Sequence, residues 1–260
     1  MIPPESSATL SVPLSDSTKP LRDKLALVIP ALREADNLPG LLGHIRSVLD
    51  PVGFPYEIVI VDDDSQDGTE EAVTAISKQD PRVRLLIRKG ERGLSGAVIY
   101  GWQRTDAAIL GVMDADLQHP PEVLPKLLAA MREGNDLAIG SRYTEGGELG
   151  SWNYFRKLIS STATRVTWPL QRPSIHAKDP MSGLFMVRRA CIEQVAFQRV
   201  GFKLLLDVLV RGRIRSVKEV PFSFGLREKG TSKADFKVAV DYARLLVSLY
   251  AEKCGFGRRA

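Results

Sequence analysis

Five apolar runs of strand length recur through the first 141 residues: Lys24–Pro30, Glu57–Val61, Val83–Ile87, Ile109–Asp114 and Asp136–Ser141. Helical stretches separate them. One is capped by Asp36-Asn37 and runs to about Leu49, and another opens near Thr69 with Glu70 and Glu71 in its first turn, where the helix dipole favours acids. A third opens with Arg92-Gly93-Leu94-Ser95-Gly96-Ala97, and a fourth covers Pro121–Met131. Continuously apolar strands alternating with helices specify a doubly wound, mostly parallel α/β sheet covered on both faces. Ligands of such sheets bind at the strand carboxyl ends. The acidic clusters of this chain fall at those ends.

One cluster closes the fourth run, as Met113-Asp114-Ala115-Asp116-Leu117-Gln118-His119-Pro120-Pro121. If the extended path continues past the strand, Asp114, Asp116 and Gln118 project to the same side, because strand side chains alternate with period two. Such oxygens suit a hard divalent cation, Mg²⁺ or Mn²⁺, with water and a phosphate completing its shell. A polar strand end capping the next helix is the alternative. The second cluster is Asp62-Asp63-Asp64-Ser65-Gln66-Asp67-Gly68, where carboxylates can accept hydrogen bonds from a nucleobase or ribose. Ser65 and Asp67 could instead cap the following helix. Glu34 lies at the same sheet edge. The Gly93/Gly96 turn lacks the Lys-Ser/Thr of a phosphate-binding P-loop and reads as a tight strand-to-helix turn.

Charge divides the chain unevenly. Of a net +5, residues 1–149 carry −8 and residues 150–260 carry +13. A basic half beside an acidic candidate metal site favours a phosphate-bearing partner or an anionic membrane surface. No nucleic-acid motif accompanies the charge, so nucleic acid is not an expected partner. No run reaches the roughly 18 apolar residues that a spanning helix needs. Residues 1–23, rich in Pro, Ser and Thr, read as a disordered leader; residues 24–235 hold the α/β domain, and 236–260 a C-terminal amphipathic helix and tail. Cys191 and Cys254 have no metal-ligand spacing and suit a reducing compartment. His44, His119 and His176 form no cluster in the sequence, and no Ser/His/Asp or Cys/His set is recognisable.

In the basic half, Trp152–Leu170 mixes Arg156, Lys157 and Arg165 with aromatic and aliphatic residues. It reads either as a helix for a membrane interface or as a surface helix packed on the sheet. Asp179-Pro180-Met181-Ser182-Gly183-Leu184-Phe185 is a turn-rich run, and Val208–Val220 holds a Gly212 turn and a last strand. The stretch Phe224–Lys233 is a cationic loop with glycines, of a kind that can fold over phosphates, or simply a solvated loop.

Taken in order, Val28-Ile29-Pro30 with Glu34, the Asp62–Thr69 run, Asp114–Pro120, Gly140-Ser141-Arg142-Tyr143, Asp179–Gly183 and Arg227 with Gly230-Thr231-Ser232-Lys233 resemble the inverting GT-A glycosyltransferases of family 2. Within them the set resembles the dolichol-phosphate (polyprenyl-phosphate) mannose synthases. Leu32-Arg33 stand where that family commonly has Tyr-Asn, and Asp64 where Gly is usual. The resemblance implies a GT-A fold and transfer of mannose from GDP-mannose to a polyprenyl phosphate with inversion. UDP-glucose or another nucleotide sugar is the alternative donor, and a non-catalytic binder of anionic membranes is the alternative of another class. It further implies nucleotide contacts from Pro30, Leu32, Glu34, Val61 and Asp63, and ribose or phosphate contacts from Asp114 and Ala115. Asp116 and Gln118 would ligate Mg²⁺ or Mn²⁺, and Arg142, Arg227 and Lys233 would hold phosphates. The expected location is the cytoplasmic face of a membrane, by peripheral contact, with a membrane-anchoring subunit as a possible partner.

Overall fold

The computed structural model describes residues 22–146, 165–172, 175–197, 203–223, 225 and 236–254, with the side chains of 236–241 outside that description. Within these residues the strands are β1 (Arg22–Ala31), β2 (Tyr56–Asp62), β3 (Val83–Ile87), β4 (Ala107–Val112), β5 (Leu137–Ser141), β6 (Phe185–Arg188) and β7 (Val217–Pro221). The helices are α1 (Leu38–Leu49), α2 (Thr69–Gln79), α3 (Leu94–Trp102), α4 (Leu124–Arg132), α5 (Leu204–Arg211) and α6 (Phe236–Lys253).

All seven strands form one sheet in the order β3-β2-β1-β4-β6-β5-β7. β1, β2, β3 and β4 run parallel, as do β5 and β7, while β6 is antiparallel to both of its neighbours, β4 and β5. The chain winds outward from β1 to β3 and then returns to place β4 on the other side of β1. That reversal opens a crevice beyond the carboxyl ends of β1 and β4, where an open α/β sheet binds its ligand.

Period-two alternation along β1 sends Leu25, Leu27 and Ile29 into one core and Ala26 and Val28 into the other. Both sets are apolar because both faces are covered. The first core is completed by Leu38, Leu41, Leu42 and Ile45 of α1 and by α4; the second is completed by α3, with Trp102 fully buried, and by α5. At about 1.5–3 kcal/mol for each fully buried aliphatic side chain, these two layers dominate the favourable energy of the fold. α3 lies so close to the sheet that a Cβ on Gly101 would sit 2.7 Å from Val28 Cγ1, so only glycine fits there. A third cluster, Leu170, Leu206, Leu245 and Leu249, fixes α6 against α5. Among the described residues no helix is long and apolar enough to cross a membrane.

The structure corrects the sequence in five places. β4 ends at Val112 rather than Asp114, and Leu117 takes φ +61°, so the extended path does not continue through the acidic loop. The turn-rich run after Asp179 leads directly into β6, whose four residues are too few to show a period. Leu204–Arg211 is a helix that the sequence reading did not include, although the Gly212 turn that ends it and the last strand, β7, fall where they were expected. Asn37 occupies the N-cap position of α1 without a side-chain capping bond; its amide donates to Glu34 Oε2 at 2.7 Å instead. The leader expected over 1–23 is shortened as well, since Arg22 and Asp23 open β1; residues 1–21, most of Trp152–Leu170, and Arg227 and Lys233 lie outside the described residues.

Candidate active site

Two buried arginine–aspartate pairs stand at the carboxyl edge of the sheet, one on each side of the β1/β4 crevice. On the β2/β3 side, Arg88 grips Asp63 in a bidentate pair, Nε to Oδ1 and Nη2 to Oδ2, both at 2.8 Å. The main-chain N–H of Gly93 also donates to Asp63 Oδ2 at 2.8 Å. Asp63 therefore holds the Gly93 turn and Arg88 in place. Asp63, Asp64, Gly90, Glu91 and Arg92 line an open cavity of about 430 Å³ beside it. On the β5/β6 side, Arg142 grips Asp179 through Nε and Nη2, each at 2.8 Å, and Asp179 is fully buried. Asp179 in turn anchors the Arg142 main-chain N–H at 3.1 Å, so the pair fixes the exit of β5. Burial opposes the charge on Arg142, but Asp179 outweighs it and raises the guanidinium above its ordinary range.

The acidic loop lies between these pairs. Asp116 Oδ1 accepts the main-chain N–H of Gln118 at 3.1 Å, a local turn that aims both side chains without the period-two strand geometry. Gln118 Nε2 donates to the Gly225 carbonyl at 3.3 Å, and the Gly225 N–H donates back to the Gln118 carbonyl at 3.0 Å. With its nitrogen so engaged, the Gln118 side chain presents Oε1 as its acceptor. Asp114 is partly exposed, and Gly183 packs against it: a Cβ on Gly183 would run into Asp114 Oδ2 and lie 3.0 Å from its Cγ. His119, isolated in the sequence, is buried with Nδ1 3.7 Å from Asp114 Oδ2 and its ring 5.5 Å from that of Phe222. Burial pushes its pKa down to about 4; Arg142 and Lys203 reinforce that, while Asp116 and Asp179 oppose it. His119 is thus neutral at pH 7 and adds no cation to this loop. The half-buried donor set, Asp116 carboxylate with Gln118 Oε1 and Asp114 in the same loop, consists of hard oxygens and fits one divalent ion that takes its remaining ligands from water and phosphate. Among the described residues no group of three or more His, Cys, Asp or Glu is arranged to hold a metal, so phosphate oxygens are needed to complete such a site.

The Asp62–Gly68 run divides its labour. Asp62 accepts from the Ser65 N–H at 3.0 Å and from the Ser65 hydroxyl, and that hydroxyl accepts the Arg33 main-chain N–H at 2.8 Å. Asp67 accepts from the Thr69 N–H at 3.1 Å from one position before the N-cap; the N-cap itself is Gly68, without a side-chain capping bond. Burial would raise the Asp67 carboxyl, yet the bonds from Thr69 and Ala35 outweigh it and lower it. Val61 is fully buried in the second core and Ala115 nearly so, which leaves only their main chains for a nucleotide. Pro30 and Leu32 are half-buried at the rim, and Glu34 faces Asn37. The structure thus brings Asp63, Asp114, Asp116, Gln118 and Arg142 to one edge. Sequence reasoning missed Arg88, Asp179 as the partner of Arg142, and Lys203. Each sits far along the chain from what it meets, and no local pattern marks it.

The profile described as "Glycosyl transferase family 2" matches residues 26–195. The chain belongs to glycosyltransferase family 2. The match spans β1 to β6 and so includes both buried pairs and the acidic loop. Among the family's curated members, the dolichol-phosphate mannosyltransferase of Pyrococcus furiosus is 44% identical over 87% of this chain, a region that covers 63% of the relative. This chain therefore spans somewhat under two thirds of that protein's length. The dolichol-phosphate mannosyltransferase of Saccharomyces cerevisiae is 37% identical over 88% of each chain. The polyprenol monophosphomannose synthase of Mycolicibacterium smegmatis is 36% identical over 82% of this chain and 84% of its own. Glucosyl-3-phosphoglycerate synthase from Mycobacterium tuberculosis, solved with Mn²⁺, UDP-glucose and phosphoglyceric acid, shares the fold. The two superpose with a TM-score of 0.63 at 17% identity, over 91% of this chain and 81% of that one. The glycosyltransferase family 2 fold expected from the motifs is thereby borne out.

Proposed function

We propose that the chain transfers mannose from GDP-mannose to a polyprenyl phosphate such as dolichyl phosphate, with inversion at the anomeric carbon. The observation that carries this reading is the 36–44% identity to dolichol-phosphate mannosyltransferases and a polyprenol monophosphomannose synthase. The placement of oxygen donors and paired cations at one sheet edge agrees with it. A phosphate monoester has a second pKa near 6, so the acceptor is largely a dianion at neutral pH. Its oxygen can attack the anomeric carbon without a strong general base, and the bond to the leaving nucleoside diphosphate breaks as the new one forms. That chemistry accords with a buried, neutral His119, which the reaction does not require as a base. Asp116 and Gln118 would hold a Mg²⁺ or Mn²⁺ ion, which when bound supplies positive charge to the leaving diphosphate. Arg142, fixed by Asp179, would face phosphate from a set position, and Arg227 and Lys233 would add charge from the loop beyond Gly225. The lipid acceptor calls for peripheral contact with a membrane, on its cytoplasmic face, and a membrane-anchoring subunit would serve the same end.

Turnover measured with GDP-mannose and with UDP-glucose against one short polyprenyl phosphate, with and without chelator, tests the proposal. Transfer from GDP-mannose that stops in chelator is the expected result. Preference for UDP-glucose overturns the donor assignment, and full activity in excess chelator overturns the metal role.

A further inference from the structure

We propose that Lys203 is the cation that receives the phosphate of the acceptor, an assignment that rests on the reaction proposed above. Lys203 occupies the N-cap position of α5 and is half-buried beside Asp114, Asp179, Arg142 and His119. The enclosed arginines at this edge are already committed. Arg88 is bidentate to Asp63 and Arg142 is bidentate to Asp179, so the charge of each is partly offset by its aspartate and neither can move to follow an incoming anion. The Lys203 ammonium, by contrast, makes no ion pair or hydrogen bond with a described residue. Burial and the nearby Arg142 lower its pKa, against the pull of Asp114 and Asp179, so holding the ammonium charged in this place carries a cost. An arriving phosphate dianion would relieve that cost, and an ammonium meets phosphate as a compact point charge without needing a fixed fork.

Two phosphates enter such a site, one on the acceptor and the diphosphate of the donor. Sheet order favours the first. The nucleotide is expected around Asp63 at the β2/β3 end, whereas Lys203 feels the charges of Asp114 beyond β4 and of the Arg142–Asp179 pair at the β5/β6 end. The acceptor must approach the anomeric carbon from the face opposite the leaving diphosphate, and this end of the crevice provides that approach.

The test compares wild type with Lys203→Met, which keeps the length and removes the charge, and Lys203→Arg, which keeps the charge; Lys203→Gln replaces the first if it does not fold. Acceptor KM is measured with a short polyprenyl phosphate at saturating GDP-mannose, and GDP-mannose binding is measured separately by calorimetry with Mn²⁺ and no acceptor. Loss of a charge-assisted contact should raise the acceptor KM about tenfold or more in Lys203→Met. GDP-mannose affinity should stay within about twofold, and Lys203→Arg should recover most of the acceptor KM. An unchanged acceptor KM overturns the assignment, as does an equal defect in both variants, which marks a structural role. Weakened GDP-mannose binding assigns Lys203 to the donor diphosphate and also overturns it. Failure of the wild type to use a polyprenyl phosphate at all overturns the underlying reaction instead, so the two failures are distinguishable.

Discussion

Four residues other than glycine hold a left-handed backbone among those described, Arg33, Asp64, Gln66 and Leu117, with φ between +53° and +61°. All four lie in the loops at the carboxyl edge of the sheet. Asp tolerates this region and Arg does so less readily, since a Cβ crowds the carbonyl there. Arg33 and Asp64 are two of the positions where this chain departs from the residues common in the family it resembles, Asn and Gly, both of which suit a positive φ. Arg33→Asn should therefore stabilise the fold by roughly 0.5–1 kcal/mol, because the main-chain bond from Arg33 to Ser65 is kept. Urea denaturation of the two proteins decides it, and an unchanged or lower midpoint counts against the strain. Gly183 makes the opposite demand: any Cβ there meets the Asp114 carboxylate. Gly183→Ala should move that carboxylate and lower kcat by about 10²-fold, the scale of an ångström's misplacement at a reacting centre. Asp116→Ala should abolish transfer, while both variants keep the wild-type circular dichroism spectrum. Full activity of Asp116→Ala would remove that residue from the metal site.

At the scale of elements, Arg211 joins two helices. It pairs with Asp207 one turn back on α5 at 2.9 Å and reaches Glu252 on α6 through Nε at 2.9 Å. Asp207 is buried and Glu252 is substantially exposed, so the two partners are not equivalent. Arg211→Ala should cost about 3 kcal/mol, as breaking a buried pair does, and Glu252→Ala below about 1 kcal/mol, as for an exposed one. Hydrogen exchange of α6 in the two variants distinguishes them, and equal protection in both sinks the distinction. The elements also show what the sequence could disclose. β1, β2, β3 and β5 were legible because each holds a predominantly apolar run between breakers, interrupted in β3 only by Arg84. β6 was not, because four residues after the turn at Pro180–Gly183 carry no period and its antiparallel place between β4 and β5 is decided by tertiary pairing. The residue types of the acidic loop were legible, but their geometry comes from an Asx turn at Asp116 and a left-handed Leu117 rather than from a continued strand. Lys203 escaped notice because the carboxylates around it come from segments distant in sequence.

At the scale of the whole molecule, the +13 balance of residues 150–260 has to be reconciled with the proposed acceptor, which carries a lipid tail. The stretch that ends Trp152–Leu170 offers the contact. Trp168 is 53% exposed and Val166 42%, beside an exposed Arg165. α6 pins this segment through the Tyr250 hydroxyl, which donates to the Val166 carbonyl at 2.6 Å, and through Lys253, which donates to the Pro169 carbonyl. A fixed, outward-facing tryptophan beside basic charge is suited to the headgroup region of a bilayer. Leu170 and Leu249 are buried in the third cluster while Trp168 is left outside it, so the competing arrangement, in which the aromatic packs inward, does not hold for Trp168. Attraction to anionic lipid contributes about 1 kcal/mol per basic residue near the surface, so Arg156, Lys157 and Arg165 together would supply roughly 3 kcal/mol. Exposed charges are screened within about 10 Å at 0.1 M salt, so binding should weaken as salt rises. Co-sedimentation with vesicles containing phosphatidylserine should show wild type bound at low salt, Trp168→Ala reduced, and an Arg156/Lys157/Arg165 triple-alanine variant reduced further with a shallower salt dependence. Equal binding of all three proteins, or of none, would place the lipid contact elsewhere on the molecule.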